Sequence, residues 1–237
     1  MTTDRGATEV DRLIAAGLEA AKGDDLEAAR IALARAVELD PTRVTAWVNY
    51  GGICGELGLE EQATQALERA RALDPTSREA ASNLGVLRRE AGRLAEAEAL
   101  FREVTARSPE FIFGHYNLGH TLFLAGRFAE SVAAYRAGLK RDGEKTGNQN
   151  ARLAWALLAN GEVKEARREL RRALDRIAPE EVVTFLDEAK DVLAAIENLR
   201  PSEAATALTI RRLIETWSLH PVAPKGAGRA RDEETNK

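Results

Sequence analysis

Apolar positions along the chain recur every three or four residues, the spacing of a helix that buries one stripe. Ala63, Leu67 and Ala70 form such a stripe, and so do Ala166, Leu170 and Ala173, with charged residues between them. Two longer segments keep the same period. One spans 180–199 with Val182, Phe185, Leu186, Ala189, Val192, Leu193 and Ile196; the other spans 202–219 with Leu208, Ile210, Leu213, Ile214 and Trp217. The pattern predicts an all-α chain.

Small residues and prolines punctuate these stripes at a fixed interval. "VNYGGICGELG" from Val48, "SNLGVLRREAG" from Ser82 and "YNLGHTLFLAG" from Tyr116 are each displaced by 34 residues. Pro41, Pro75 and Pro109 keep that step, as do Gly17, Gly51, Gly85 and Gly119, and Ala29, Ala63 and Ala97 with Ser131 in fourth place. A glycine without Cβ lets two helix backbones approach at a crossing, and a small residue on the facing helix serves the same contact. Gly58, Gly92 and Gly126 follow about seven residues later and read as helix C-caps, because glycine enters the left-handed conformation at low cost. Asp24 with Glu27 reads as a capping box at the next helix start, and proline closes each unit because it cannot continue a helix.

This pattern resembles the tetratricopeptide repeat family, whose 34-residue unit is a helix–turn–helix. The second unit matches best, with Trp47, Gly51, Gly58, Ala63, Leu67, Ala70 and Pro75 in register. The resemblance implies an α-α superhelix, a solenoid of about five repeats at 10–43, 44–77, 78–111, 112–145 and 147–180. The fourth ends in "KRDGEKTGNQ" instead of Asp-Pro, and the fifth has Ala154 at the crossing place. Residues 1–9 are expected as a flexible start. Residues 180–219 lack the repeat signature and are expected as a capping helix pair, because a solenoid end exposes an apolar face. Residues 220–237, rich in Pro, Gly, Ala and charge, are expected to be a disordered tail.

Composition narrows the function classes. Hydrophobic residues at 44% suffice for a continuous core, and the formal net charge is −4. A single cysteine, Cys54, permits no internal disulfide, and the polar start has no secretion-signal pattern, so a cytoplasmic location is expected. The longest uncharged apolar run, from Leu153, is about nine residues against the roughly 20 of a membrane span. His115 and His120, five apart, face different sides of one helix and His220 is remote, so no metal site and no cofactor is expected. "GLKRDGEKTG" from Gly138 lacks the phosphate-loop order, since Glu144 intervenes before Lys145 and no strand precedes it. Arg167, Arg168, Arg171, Arg172 and Arg176 lie along one flank of a helix in repeat five. With interleaved glutamates and no stacking aromatics, they read as a solvated face rather than a nucleic-acid surface.

In the family the first helix of each repeat lines a concave surface with its second, fifth, sixth, ninth, twelfth and thirteenth places. Carried over, the sixth place is Asn49, Asn83 and Asn117, an amide ladder similar to that of O-linked N-acetylglucosamine transferases. Each amide offers a donor and an acceptor to a peptide backbone, and the same residues also serve packing alone in many repeats. Phe113, Tyr116, His120, Phe123, Arg152 and Trp155 gather on repeats four and five; they mark either a partner surface or one covered by the helix expected at 202–219. Tails of Hsp70 or Hsp90 are not supported. Chaperone adaptors need cations at places held here by Ile14, Leu18 and Glu79 beside Asn49 and Asn83. The resemblance implies a non-enzymatic adaptor that binds a peptide or helix of another protein in the groove. The alternative is a structural subunit that contacts partners through the convex arginine-rich face or the array ends.

Overall fold

The computed structural model describes residues 3–142 and 147–176, and among them lie ten helices and no strand. In chain order these are α1 (Thr3–Lys22), α2 (Leu26–Leu39), α3 (Val44–Glu56), α4 (Glu60–Leu73), α5 (Arg78–Glu90), α6 (Leu94–Arg107), α7 (Ile112–Leu124), α8 (Phe128–Arg141), α9 (Gly147–Ala159) and α10 (Val163–Leu174). Helices α3, α5, α7 and α9 begin at the first residue of repeats two to five. The chain forms two compact units, residues 1–121 and 122–237. The expected capping helices and tail, from residue 180 onward, lie outside the described residues, as does most of the turn after Asp142.

In the first unit the repeat is built on side-chain interlock. A Cβ on Gly17 would stand 2.7 Å from Leu33 Cγ, one on Gly51 2.7 Å from Leu67 Cγ, and one on Gly85 2.7 Å from Phe101 Cζ. The crossing glycine is therefore required by a large residue on the second helix of its own repeat, which fills the space a methyl would take. Ala29, Ala63 and Ala97 beside them are fully buried. Cys54, Ala63, Leu67, Leu84 and Leu87 join one repeat to the next in a continuous core.

Turns repeat the same chemistry. Gly58, Gly92 and Gly126 sit at φ 74, 73 and 72°, the left-handed region that glycine tolerates. In the first repeat that place belongs to Asp24, at φ 62°. The capping box expected at Asp24 is therefore displaced: Asp25 is the N-cap and accepts from the Ala28 amide at 3.0 Å. Asp can adopt the left-handed conformation at modest cost, so one aspartate makes the turn and the next caps the helix. Residues 3–9, expected as flexible, continue α1. Extending an existing helix adds a hydrogen bond for each residue fixed, and no proline interrupts the stretch.

Two ring nitrogens tie helices to the preceding turn. Trp47 Nε1 donates to the Pro41 carbonyl at 2.9 Å, and His115 Nε2 donates to the Pro109 carbonyl at 2.8 Å. Both are the fourth residue of their repeat, so His115 has a structural partner. Ion pairs a repeat apart add to this: Arg71 bridges both Glu103 oxygens at 3.1 and 3.0 Å, and Arg93 meets Glu60 at 2.7 Å.

In the second unit α9 is buried almost throughout from Leu153 to Ala159. Ala166, Leu170 and Ala173 of α10 lie in its core, whereas Arg167, Arg168, Arg171 and Arg172 are exposed. Asn150 and Glu169, 3% and 5% exposed, bond to each other at 2.9 Å.

Candidate partner-binding groove

Position within the repeat decides exposure on α3, α5 and α7. The second places, Thr45, Glu79 and Phe113, are exposed; the fifth, Val48, Ser82 and Tyr116, are buried; the sixth, Asn49, Asn83 and Asn117, are half-buried. The ninth and twelfth places are half-buried, and Glu56, Glu90 and Leu124 at the thirteenth are exposed.

This order corrects part of the expected site. Tyr116 is 4% exposed and Trp155 4%, so neither ring is open to a partner. The same place is buried in the two preceding repeats: Val48 packs with Ala70 of its own repeat and Ala80 of the next, and Ser82 is 5% exposed. Trp155 belongs to the buried run of α9 in the second unit. Phe113, 58% exposed, stands edge-on to Phe111 at 5.8 Å. His120 is half-buried in the first unit. Phe123 and Arg152, both half-buried, lie in the second, and the Phe123 ring leans on Phe128 at 5.5 Å.

The amides are not equivalent. Arg89 Nη1 donates to Asn117 Oδ1 at 3.0 Å, and the Asn117 carbonyl accepts from Thr121 Oγ1 at 2.8 Å. Asn49 and Asn83 have no hydrogen bond from their side chains among the described residues. Asn83 forms the wall of a pocket of about 200 Å³ between α3 and α5. Its other walls are Gly51, Gly52 and Gly55 of α3 and Val86 and Leu87 of α5, with Leu67 beneath and Glu56 and Glu90 at the rim. A Cβ on Gly52 would stand 3.4 Å from Asn83 Nδ2, and one on Gly55 3.1 Å from Leu87 Cδ2.

Sequence reasoning missed this pocket. Its trace was the surplus of glycine in "VNYGGICG": only Gly51 is needed at the crossing, and each further helical glycine costs about 1 kcal/mol relative to alanine.

The remaining chemistry is occupied internally. Burial pushes the Cys54 thiol up and Tyr50 up, so both stay protonated near neutral pH, and Tyr50 donates to Gln62 at 3.0 Å. In the second unit, Arg136, Asn150, Glu165, Glu169, Arg172 and Arg176 line a hollow of about 390 Å³. Arg136 donates to Glu165 at 2.8 Å and Arg176 to Asn150 at 3.0 Å, while Arg172 pairs with Glu169. Arg167 and Arg171 carry no ion pair among the described residues. Those residues hold no cluster of three His, Cys, Asp or Glu with metal-binding geometry, and none of their helices is long and apolar enough to cross a membrane.

A family model described as tetratricopeptide repeat matches residues 14–77, 55–110 and 116–181. Among solved structures, PilF of Pseudomonas aeruginosa is similar at 18% identity and TM-score 0.68, covering 91% of this chain and 94% of that one. A thermophilic TPR protein of Thermus thermophilus is similar at 19% identity and TM-score 0.65, covering 78% and 99%. MamA is similar at 22% identity and TM-score 0.57, covering 67% and 92%. At such identities the likeness shows the fold. No curated protein matches the chain.

Proposed function

The chain belongs to the tetratricopeptide repeat family, and from that membership we propose that it is a cytoplasmic, non-enzymatic adaptor that takes a segment of a partner protein in the concave groove of its first helices. Proteins of this family serve generally as protein-interaction modules, and stacked repeats create the extended concave surface such modules use. The observation that carries the reading is the state of Asn49 and Asn83. Both are half-buried at the sixth place of their repeats and lack a side-chain hydrogen bond among the described residues. A half-buried amide without a partner has lost some of its water and gained nothing in return, and an extended backbone supplies both the donor and the acceptor it needs. Asn117, Phe113 and His120 extend this surface in the first unit; Phe123 and Arg152 are proposed as partner contacts within the second unit alone. Tyr116 and Trp155 act through the core.

The test is capture of partners by the full chain and by an Asn49→Ala, Asn83→Ala variant of equal helicity. A partner held by the wild type and lost from the variant supports the groove. The second reading, a structural subunit that docks through α10, draws on the exposed and unpaired Arg167 and Arg171. It predicts that the same partner survives the asparagine changes and is lost on replacing Arg167, Arg168, Arg171 and Arg172.

A further inference from the structure

The groove reading leaves the chemistry of the partner open, and the pocket between α3 and α5 narrows it. We propose that this pocket selects a partner segment carrying one bulky aliphatic side chain flanked by lysine or arginine. The inference rests on the groove reading and adds a specificity site to it.

Three observations converge on that occupant. The base of the pocket is apolar: Leu67 is fully buried, Leu87 is 8% exposed, and Gly51, Gly52 and Gly55 present bare backbone without side chains. Glycine keeps the α3 wall bare: a Cβ on Gly55 would press on Leu87 Cδ2 at 3.1 Å, so that glycine lets α5 pack close, while one on Gly52 would reach Asn83 Nδ2 at an ordinary 3.4 Å, so the absent side chain at Gly52 leaves the space open. A volume of about 200 Å³ accepts a leucine-sized group, given that a dry cavity of about 150 Å³ holds benzene.

Charge supplies the third observation. Glu56 and Glu90 occupy the same place in successive repeats, both exposed at the rim. Neither has an ion pair or hydrogen bond from its side chain among the described residues. The cations nearest Glu90 in sequence are committed elsewhere: Arg88 to Glu68 and Glu96, Arg89 to Asn117, and Arg93 to Glu60. The rim is thus a pair of unneutralised carboxylates around an apolar hole. A ligand with an apolar centre and cationic flanks matches both parts, and an acidic ligand is repelled. Asn83 stands between hole and rim, where its amide can hold the ligand backbone in register.

The test selects peptides from a displayed random library on the full chain, then measures the recovered sequences by fluorescence anisotropy at low and high salt. Recovered peptides are expected to share a Leu, Ile or Met within one or two residues of Lys or Arg. Gly52→Leu, which fills the pocket, is expected to weaken them by at least about tenfold, the scale of burying one aliphatic side chain. The Glu56→Gln, Glu90→Gln variant, whose changes touch no internal contact, is expected to weaken them several-fold at low salt and to flatten the salt dependence. Peptides that lack basic residues, or that bind both variants as tightly as the wild type, overturn the pocket while leaving the groove standing if Asn49→Ala, Asn83→Ala still releases them. Recovery of no peptide overturns both.

Discussion

In the first unit Asn49 and Asn83 stand half-buried with no side-chain hydrogen bond among the described residues, whereas in the second unit Asn150 is 3% exposed, donates to Glu169 and accepts from Arg176. The two regions share one repeat unit of helix, turn and helix, yet these asparagines are treated in opposite ways. Helices α3 and α5 keep the repeat pattern, α3 with two glycines beyond the crossing one, and leave the half-buried Asn49 and Asn83 amides without a bond among the described residues. Helices α9 and α10 depart from it, with Ala154 at the crossing place, and pair the buried Asn150 and Glu169 with each other and with Arg176 and Arg172. The lesson is that departure from a repeat pattern is not by itself a sign of function. What matters is whether the polar groups left over have partners.

The comparison can be strained from both sides. The largest effect is expected from Asn150→Leu, which leaves the buried Glu169 carboxylate without its amide donor and Arg176 without its acceptor. Loss of about 2–4 kcal/mol is expected in chemical denaturation. The matching change in the first unit, Asn83→Leu, is expected to move stability by no more than about 0.5 kcal/mol, because no internal bond is broken.

Glycines give the next contrast. Gly51→Ala places a methyl 2.7 Å from Leu67 Cγ and is expected to cost about 1–2 kcal/mol after the gain in helix propensity is subtracted. Its neighbour Gly52→Ala meets only the Asn83 amide at 3.4 Å and is expected to stabilise by about 0.5–1 kcal/mol. Thermal unfolding followed by circular dichroism separates the two, and equal signs would refute the division between crossing glycines and pocket glycines.

The smallest effect concerns the turn between repeats. Thr76 donates its hydroxyl at 2.7 Å and its amide at 2.9 Å to Asp74, which holds that carboxyl below its ordinary value. A lowered folded pKa means a stabilising contribution that is full above the ordinary carboxylate range, near 3.9, and lost as pH falls through the folded value. The melting difference between wild type and Asp74→Ala is therefore expected to be small at neutral pH and to shrink further under acid. A difference that grew on acidification would contradict this assignment.

Much of this architecture is legible in the sequence, because spacing and glycine chemistry act locally. The starts of α3, α5, α7 and α9, the left-handed glycines at Gly58, Gly92 and Gly126, and the buried stripe of Ala166, Leu170 and Ala173 all follow from a period of 34 and from the cost of a Cβ. The first turn was harder to read, since Asp24 and Asp25 are both plausible caps by composition and only the left-handed backbone at Asp24 separates them. The half-buried state shared by Asn49, Asn83 and Asn117 was legible in their common place in the repeat, whereas the burial of Tyr116 and Trp155 was not. Tyr116 and Phe113 look alike as exposed rings on a helical wheel, but the fifth place is buried in α3, α5 and α7 and the second is exposed in all three, a distinction that comes from tertiary packing and not from the helix alone. The pocket at Asn83 was hidden for a related reason: it is the absence of side chains at Gly52 and Gly55, and a missing group leaves only a faint trace in a residue pattern.

The most direct test pairs two variants in one experiment, with the melting temperature and the capture of a groove partner measured for Asn83→Leu and Asn150→Leu. Unchanged melting with lost capture for Asn83→Leu, and lowered melting with capture retained by the folded fraction for Asn150→Leu, are the predicted results. Capture intact in Asn83→Leu together with a fall in its melting temperature would show that this amide serves the fold and that the groove is not the binding surface.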